Sequence, residues 1–153
     1  MNLYQILDNL KIPYEEIEHP KVFTIEQAIN IQNKINGIGC KNLFLTDNTN
    51  YYLLILEATK QANLKLLAKT INSKRLTFAT EEELHQILNL SAGSVTPFGI
   101  INDKENKVIL LIEKNLVHKK LLFHPNVNNK TISIEYQDLI KFIEYEKNNY
   151  FLV

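Results

Sequence analysis

The pattern of apolar residues predicts an α+β (mixed α/β) fold, a mixed central β-sheet flanked by helices. Two runs, residues 42–46 and 51–58, are almost continuously apolar, as strands are when both faces of their sheet are covered. Two capping boxes, Thr24 with Gln27 and Thr80 with Glu83, each start a helix by satisfying orphan backbone donors reciprocally. Hairpins are interspersed with helices, which departs from the strict strand–helix alternation of a doubly wound sheet.

In chain order, Leu3, Ile6, Leu7 and Leu10 recur at helical spacing, so residues 2–11 read as an amphipathic helix that closes before Pro13. Residues 14–19 alternate as a short strand, and His19-Pro20 forces an extended turn. Thr24 then launches a helix through Ala28, Ile31 and Ile35, which Gly37 and Gly39 terminate. The strands at 42–46 and 51–58 flank Asp47-Asn48-Thr49-Asn50, a hairpin tip suited to positive φ. Leu64, Leu66, Leu67 and Ile71 mark a helix with Lys60, Lys65 and Lys69 on its outer side. That stripe is either a solvated face or a contact for an RNA backbone.

Residues 75–79 read as a strand and 81–88 as a helix. Residues 99–102 and 107–113 read as strands around the charged tip 103–106. Strands at 121–124 and 131–135 follow, separated by the turn-rich 125–129, and a helix at 137–146 carries Leu139, Ile140 and Ile143 on one face.

The chain has 153 residues, enough to bury a substantial core, and no linker or repeat divides it, so residues 1–153 are expected to form one domain. One cysteine, Cys40, gives no internal disulfide. There is no basic-then-apolar leader and no apolar run of membrane-spanning length, so a cytoplasmic protein with no membrane partner is expected. The formal net charge is zero, which argues against a protein that grips DNA or RNA through a broad positive field but leaves room for a few local contacts.

Residues 89–103 hold the densest turn chemistry. Gly93 tolerates backbone angles that a side chain forbids, and Pro97 fixes its own φ while pushing Thr96 towards an extended conformation. The segment is either an ordinary helix-to-strand loop or a rigid turn whose N–H groups at Gly93 and Ser94 point at a ligand. Lys41 opens an apolar strand, either as a solvated strand-end cation or as a charge beside a concave site. His124, between Phe123 and Pro125, is either a structural histidine satisfied by a carbonyl or a site residue. His19, His85 and His118 have no comparable context. No catalytic triad, paired-cysteine metal site, P-loop or dinucleotide fingerprint is legible, so no metal or cofactor is expected.

Four stretches, Lys41-Asn42-Leu43-Phe44-Leu45, Gly93-Ser94-Val95-Thr96-Pro97-Phe98-Gly99, Ile101-Asn102-Asp103 and Phe123-His124-Pro125-Asn126, together resemble the YbaK/ProX aminoacyl-tRNA deacylases. That family also includes the editing domain inserted in bacterial prolyl-tRNA synthetases. The resemblance runs from about Tyr14 to about Tyr145 and is closest to the free-standing branch that clears alanine from mischarged tRNA-Pro. It implies a trans-editing hydrolase acting on the acceptor end of an aminoacylated tRNA, with prolyl-tRNA synthetase as a further partner.

The resemblance also implies roles for residues. Lys41 would contact the terminal phosphate, with Asn42 as a polar neighbour. Gly93 and Ser94 would donate to the oxyanion, worth roughly 3 kcal/mol per well-aimed donor. His124 would orient the terminal adenosine or the aminoacyl group, a small apolar pocket would be built near Gly93, Val95 and the strand beginning at Asn42, and Pro97 would be a further substrate-binding residue. Phe23 and Thr24 match the family's Val-Phe-Thr start, though Thr24 is already explained as a cap. Such a site works by positioning, because the ester is already reactive. A pocket that admits alanine and excludes proline supplies the discrimination a synthetase lacks. Cysteine, serine or threonine esters are alternative substrates. A noncatalytic module that binds tRNA ends or assists a synthetase is the alternative from another class. A piece of a larger synthetase is a third, against which Met1 and the closing helix lean.

Overall fold

In a computed structural model of the chain, residues 1–21 and 25–153 are described, the side chain of Ile25 excepted. Helices α1 (Leu3–Asn9), α2 (Ile25–Gln32), α3 (Leu64–Ile71), α4 (Glu81–Leu88) and α5 (Tyr136–Glu146) surround one mixed sheet. Its strands are β1 (Glu15–Glu18), β2 (Ile38–Thr46), β3 (Tyr51–Glu57), β4 (Thr77–Phe78), β5 (Val108–Ile112), β6 (Lys120–Phe123), β7 (Lys130–Glu135) and β8 (Tyr150–Leu152), in the order β1-β7-β6-β2-β3-β5-β8 with β4 also on β2. The α+β expectation holds. Among the described residues no helix is long and apolar enough to cross a membrane.

The continuous apolar runs have the cause the sequence suggests. Leu53 and Ile55 of β3 join one core with Leu7 of α1, Leu88 of α4 and Phe142 of α5. Tyr52, Leu54 and Leu56 join a second, on the other face, with Leu67 of α3. Alternate residues of one strand thus serve two cores. The hairpin tip forms as read: Asp47 Oδ1 accepts from the N–H groups of Thr49 and Asn50 at 2.9 and 2.7 Å, and Asn48 sits at φ 70°. The Thr80/Glu83 capping box is present. Tyr51 OH donates to the same Glu83, holding the first turn of α4 onto β3. The Thr24/Gln27 box lies outside the described residues.

The first helix forms and carries a capping box, Asn2 with Gln5. Elsewhere the structure departs from expectation. Residues 99–102 form no strand: Pro97–Asn102 is a 3-10 helix, because Pro97 at its first turn is already set to a helical φ and Thr96 Oγ1 accepts from the Phe98 N–H. That local chemistry outweighs the β preference of Ile100 and Ile101. β2 starts at Ile38, four residues earlier than read, because Ile38 and Gly39 pair in parallel with Leu121 and Leu122 of β6. A further edge strand, β8, pairs in parallel with β5.

Asn102 and Asp103 serve the fold. Asn102 donates to the Leu88 carbonyl, and the buried Asp103 carboxylate accepts from the N–H groups of Lys107 and Val108 and from Asn148.

The glycines differ in what they permit. Gly37 sits at φ +147°, and a Cβ there would lie 2.8 Å from Leu122 Cδ2. Gly37→Ala should cost about 1–3 kcal/mol of stability in chemical denaturation. Gly93, at negative φ with only Asn128 Nδ2 within reach of an added Cβ, should tolerate alanine to within about 0.5 kcal/mol. Equal losses at the two positions would contradict this account.

Candidate active site

One edge of β2 is paired with β3 along residues 40–46. The other edge meets β6 only at Ile38 and Gly39, and β4 only at Leu45 and Thr46. Between those contacts residues 40–44 have no strand partner on that side, and the turn read as special docks there. Asn42 Nδ2 donates to the Val95 carbonyl at 3.1 Å. From the loop after β6, Asn126 Nδ2 donates to the Phe98 carbonyl at 3.4 Å. The segment is further anchored by Phe98, whose buried ring packs edge-on against Phe123 and Phe142 at 5.8 and 5.4 Å. Thr96 is extended, as its place before Pro97 requires.

The turn itself corrects two expectations. Gly93 does not use a backbone angle forbidden to other residues. Ser94 is buried and its N–H donates to the Ser91 carbonyl at 2.9 Å, so it is spent on a 3-10 turn spanning Ala92–Ser94 and is not free for a ligand. The exposed Gly93 N–H has no acceptor among the described residues and is the donor the turn offers.

Two cavities open along the gap. The smaller, about 80 Å3, lies between α2 and the sheet. It is walled by Ile31, Gln32, Cys40, Phe123, His124 and Thr131, among others. The larger, about 180 Å3, is lined by Asn42, Phe78, Ala79, Ala92 and Val95, again among others. Gly39 and Cys40 face the first and residues 42–44 the second, which leaves Lys41 as the β2 residue between them. Lys41 is half-buried and has no hydrogen bond or ion pair among the described residues. Structure thus groups Asn42 with Val95, and His124 with Cys40, with Lys41 between; Pro97 is buried behind the turn. Phe23 and Thr24 lie outside the described residues.

His124 is held in a fixed tautomer by a backbone carbonyl. Its Nδ1 lies 2.8 Å from the Lys130 carbonyl, and since a carbonyl only accepts, Nδ1 carries the hydrogen and Nε2 the lone pair of the neutral ring. Burial pushes its pKa below the ordinary value, with the Lys130 carbonyl opposing and nearby His19 assisting. His19 is the residue that sequence reasoning passed over. Its ring centroid is 6.0 Å from that of His124, and its nitrogens meet the Pro20 carbonyl and Thr131 Oγ1, both at 2.8 Å. Nothing local in the sequence signals this, because β1 and β7 bring the two histidines together. His85 and His118 are exposed. Burial pushes the Cys40 thiol up to about 12, so it is not a nucleophile at neutral pH. Asn42 Oδ1 and Asn126 Oδ1 are buried acceptors without a partner.

The gap thus gathers, among the described residues, a cation, a backbone donor, an imidazole and unpaired amide oxygens. Residues 19–142 match the aminoacyl-tRNA editing domain, and the chain belongs to that family. It is 38% identical over 147 residues to the prolyl-tRNA editing protein ProX of Acetoanaerobium sticklandii, covering 94% of this chain and 90% of that one. To the prolyl-tRNA synthetase associated domain-containing protein 1 of Mus musculus it is 34% identical over 148 residues, covering 93% and 88%. A solved structure of a candidate trans-editing enzyme for prolyl tRNA synthetase shares the fold, with a TM-score of 0.75 and 14% identity over 97% of this chain and 92% of that chain.

The His124 environment has a consequence for stability. Because the folded-state pKa lies below the unfolded value, the stabilisation is fully present above about pH 6.5 and is lost as pH falls through the folded-state pKa. Between pH 7.5 and 5, His124→Asn should lose less unfolding free energy in urea than the wild type. Parallel losses would assign the pH dependence to other groups.

Proposed function

We propose that the chain is a trans-editing deacylase that hydrolyses the ester of mischarged tRNA-Pro, with Ala-tRNA-Pro as its substrate, and that residues 1–153 act as one editing domain in the cytoplasm. The observation that carries this is the arrangement along the β2 gap: Lys41, whose side chain has no partner among the described residues, flanked by a small cavity bounded by His124 and a larger one bounded by Asn42 and Val95. The names of the relatives point the same way.

In this reading the aminoacyl group enters the smaller cavity. Its volume, about 80 Å3, holds roughly two or three waters' worth of atoms and suits a methyl side chain better than a ring. Ile31, Cys40 and Phe123 make that volume apolar and closely walled, and rejection of proline is then steric. Lys41 meets the ribose-phosphate link as a compact point charge. The Gly93 N–H donates to the oxyanion, and its lack of a Cβ lets the ester approach the backbone. Neutral His124, held by the Lys130 carbonyl, presents Nε2 as an acceptor for an aminoacyl donor or a water. The protein supplies orientation and one or two well-placed dipoles, which is adequate for an activated ester.

RNA contact away from the gap is supported by a groove on α3 lined by Lys65, Lys69 and Arg75. Lys60 of the same stripe is instead paired with Glu113 at 3.3 Å. Association with a prolyl-tRNA synthetase is consistent with the relatives' names and adds no contact to the chemistry.

The test is release of labelled amino acid from Ala-tRNA-Pro, with Pro-tRNA-Pro, Cys-tRNA-Pro and Ala-tRNA-Ala in parallel. Selective loss from Ala-tRNA-Pro is expected. Folded protein that releases nothing from any of the four would make the chain a tRNA-end-binding module instead. Lys41→Ala should lose most of the activity, on the order of tenfold or more if the contact is worth about 1.5 kcal/mol or above, at unchanged thermal stability. Wild-type rates in that variant would remove Lys41 from the mechanism.

A further inference from the structure

Phe78 is 62% exposed, the most exposed aromatic side chain among the described residues. Water contact over so much of a ring is unfavourable, and its chain neighbours Thr77, Thr80 and Glu81 are exposed and polar, so no local run of apolar residues accounts for it. The backbone beneath it is fixed: Phe78 pairs with Leu45 of β2, and the Ala79 N–H donates to the Phe44 carbonyl at 2.9 Å. Phe78 also lines the 180 Å3 cavity together with Asn42, whose Oδ1 is buried and unpaired. A rigidly mounted aromatic face beside an orphaned acceptor suits a flat ligand that carries an N–H donor.

Given the deacylase reading above, on which this inference rests, we propose that Phe78 is the stacking platform for an unpaired nucleobase at the 3′ end of the acceptor strand. Asn42 Oδ1 takes a hydrogen bond from the base's amino group. Stacking on an aromatic side chain is available to any base and adds affinity without demanding sequence. Charge supports the placement. The exposed Lys74 and Arg75 precede β4, whereas Glu81, Glu82 and Glu83 follow it, so the phosphates of a bound strand run on the Arg75 side and away from the first turn of α4.

The chain contains no tryptophan, so Phe78→Trp creates a single reporter at the proposed platform. Its fluorescence should be quenched by a non-aminoacylated acceptor-stem hairpin ending in CCA, and not by the same hairpin lacking those three nucleotides. Phe78→Ala should weaken binding of the CCA-ended hairpin roughly fivefold or more. In deacylation it should raise KM more than it lowers kcat, and Phe78→Tyr should restore wild-type behaviour.

Equal quenching by both hairpins, no quenching by either, or unchanged hairpin affinity in Phe78→Ala would each overturn the proposal. If the tryptophan variant does not fold, the alanine and tyrosine variants decide the matter. Binding is read with uncharged RNA, so its failure is separable from that of the deacylase reading, which fails only if the wild-type protein releases no amino acid.

Discussion

The functional architecture depends on one discontinuity in backbone pairing. β2 keeps β3 on one edge, but on the other it has β6 for two residues and β4 for two more, with residues 40–44 unpaired between. Backbone polar groups in such a gap must find other partners or water. The turn around Gly93 and Pro97 packs against it through the Asn42 side chain, and Ala79 N–H takes the Phe44 carbonyl. A continuous ladder would have closed this space. Gly37 contributes by turning the chain into β2 at a φ of +147°, tight against Leu122.

The proposed reading asks the groups along the gap to act on an ester with no activated nucleophile among the described residues. The one thiol is held protonated by burial, and the imidazole is held neutral by burial with its tautomer set by a carbonyl. Both therefore keep fixed proton inventories near neutral pH. In the proposed reading such groups serve recognition and placement, and rate enhancement comes from holding the ester against a preorganised donor. The structure reduces the expected pair of donors at Gly93 and Ser94 to one, because the Ser94 N–H closes its own turn. One donor is enough for roughly 3 kcal/mol of transition-state stabilisation.

What the sequence made legible was local. The apolar runs of β2 and β3, the Thr80/Glu83 cap and the hairpin tip at Asp47 are each written in a few neighbouring residues, and each formed. So is the family, because its four motifs fall in order along most of the chain. Illegible features depend on distant pairing. The early start of β2 needs Leu121 and Leu122; β8 is three residues long and exists through β5; His19 reaches His124 only because β1 lies on β7. The misread strand at residues 99–102 has a different cause. Thr96-Pro97 is a helix-start signal, and it prevails over the β preference of the β-branched residues that follow it.

A net charge of zero is compatible with an RNA substrate when charge is distributed unevenly. The cations Lys65, Lys69 and Arg75 share one groove, Lys41 stands alone in the gap, and the acidic first turn of α4 lies beyond Phe78. A field of this kind attracts phosphate at few points and repels it at others, so it sets the direction of a bound strand more than its affinity. With few counterions released, the deacylase reading proposed above draws its affinity from contacts at the strand's end. In the proposed reading, tRNA is bound weakly as a polyanion and selectively at its acceptor end. That balance suits an enzyme that must sample many charged tRNAs and release the correct ones intact.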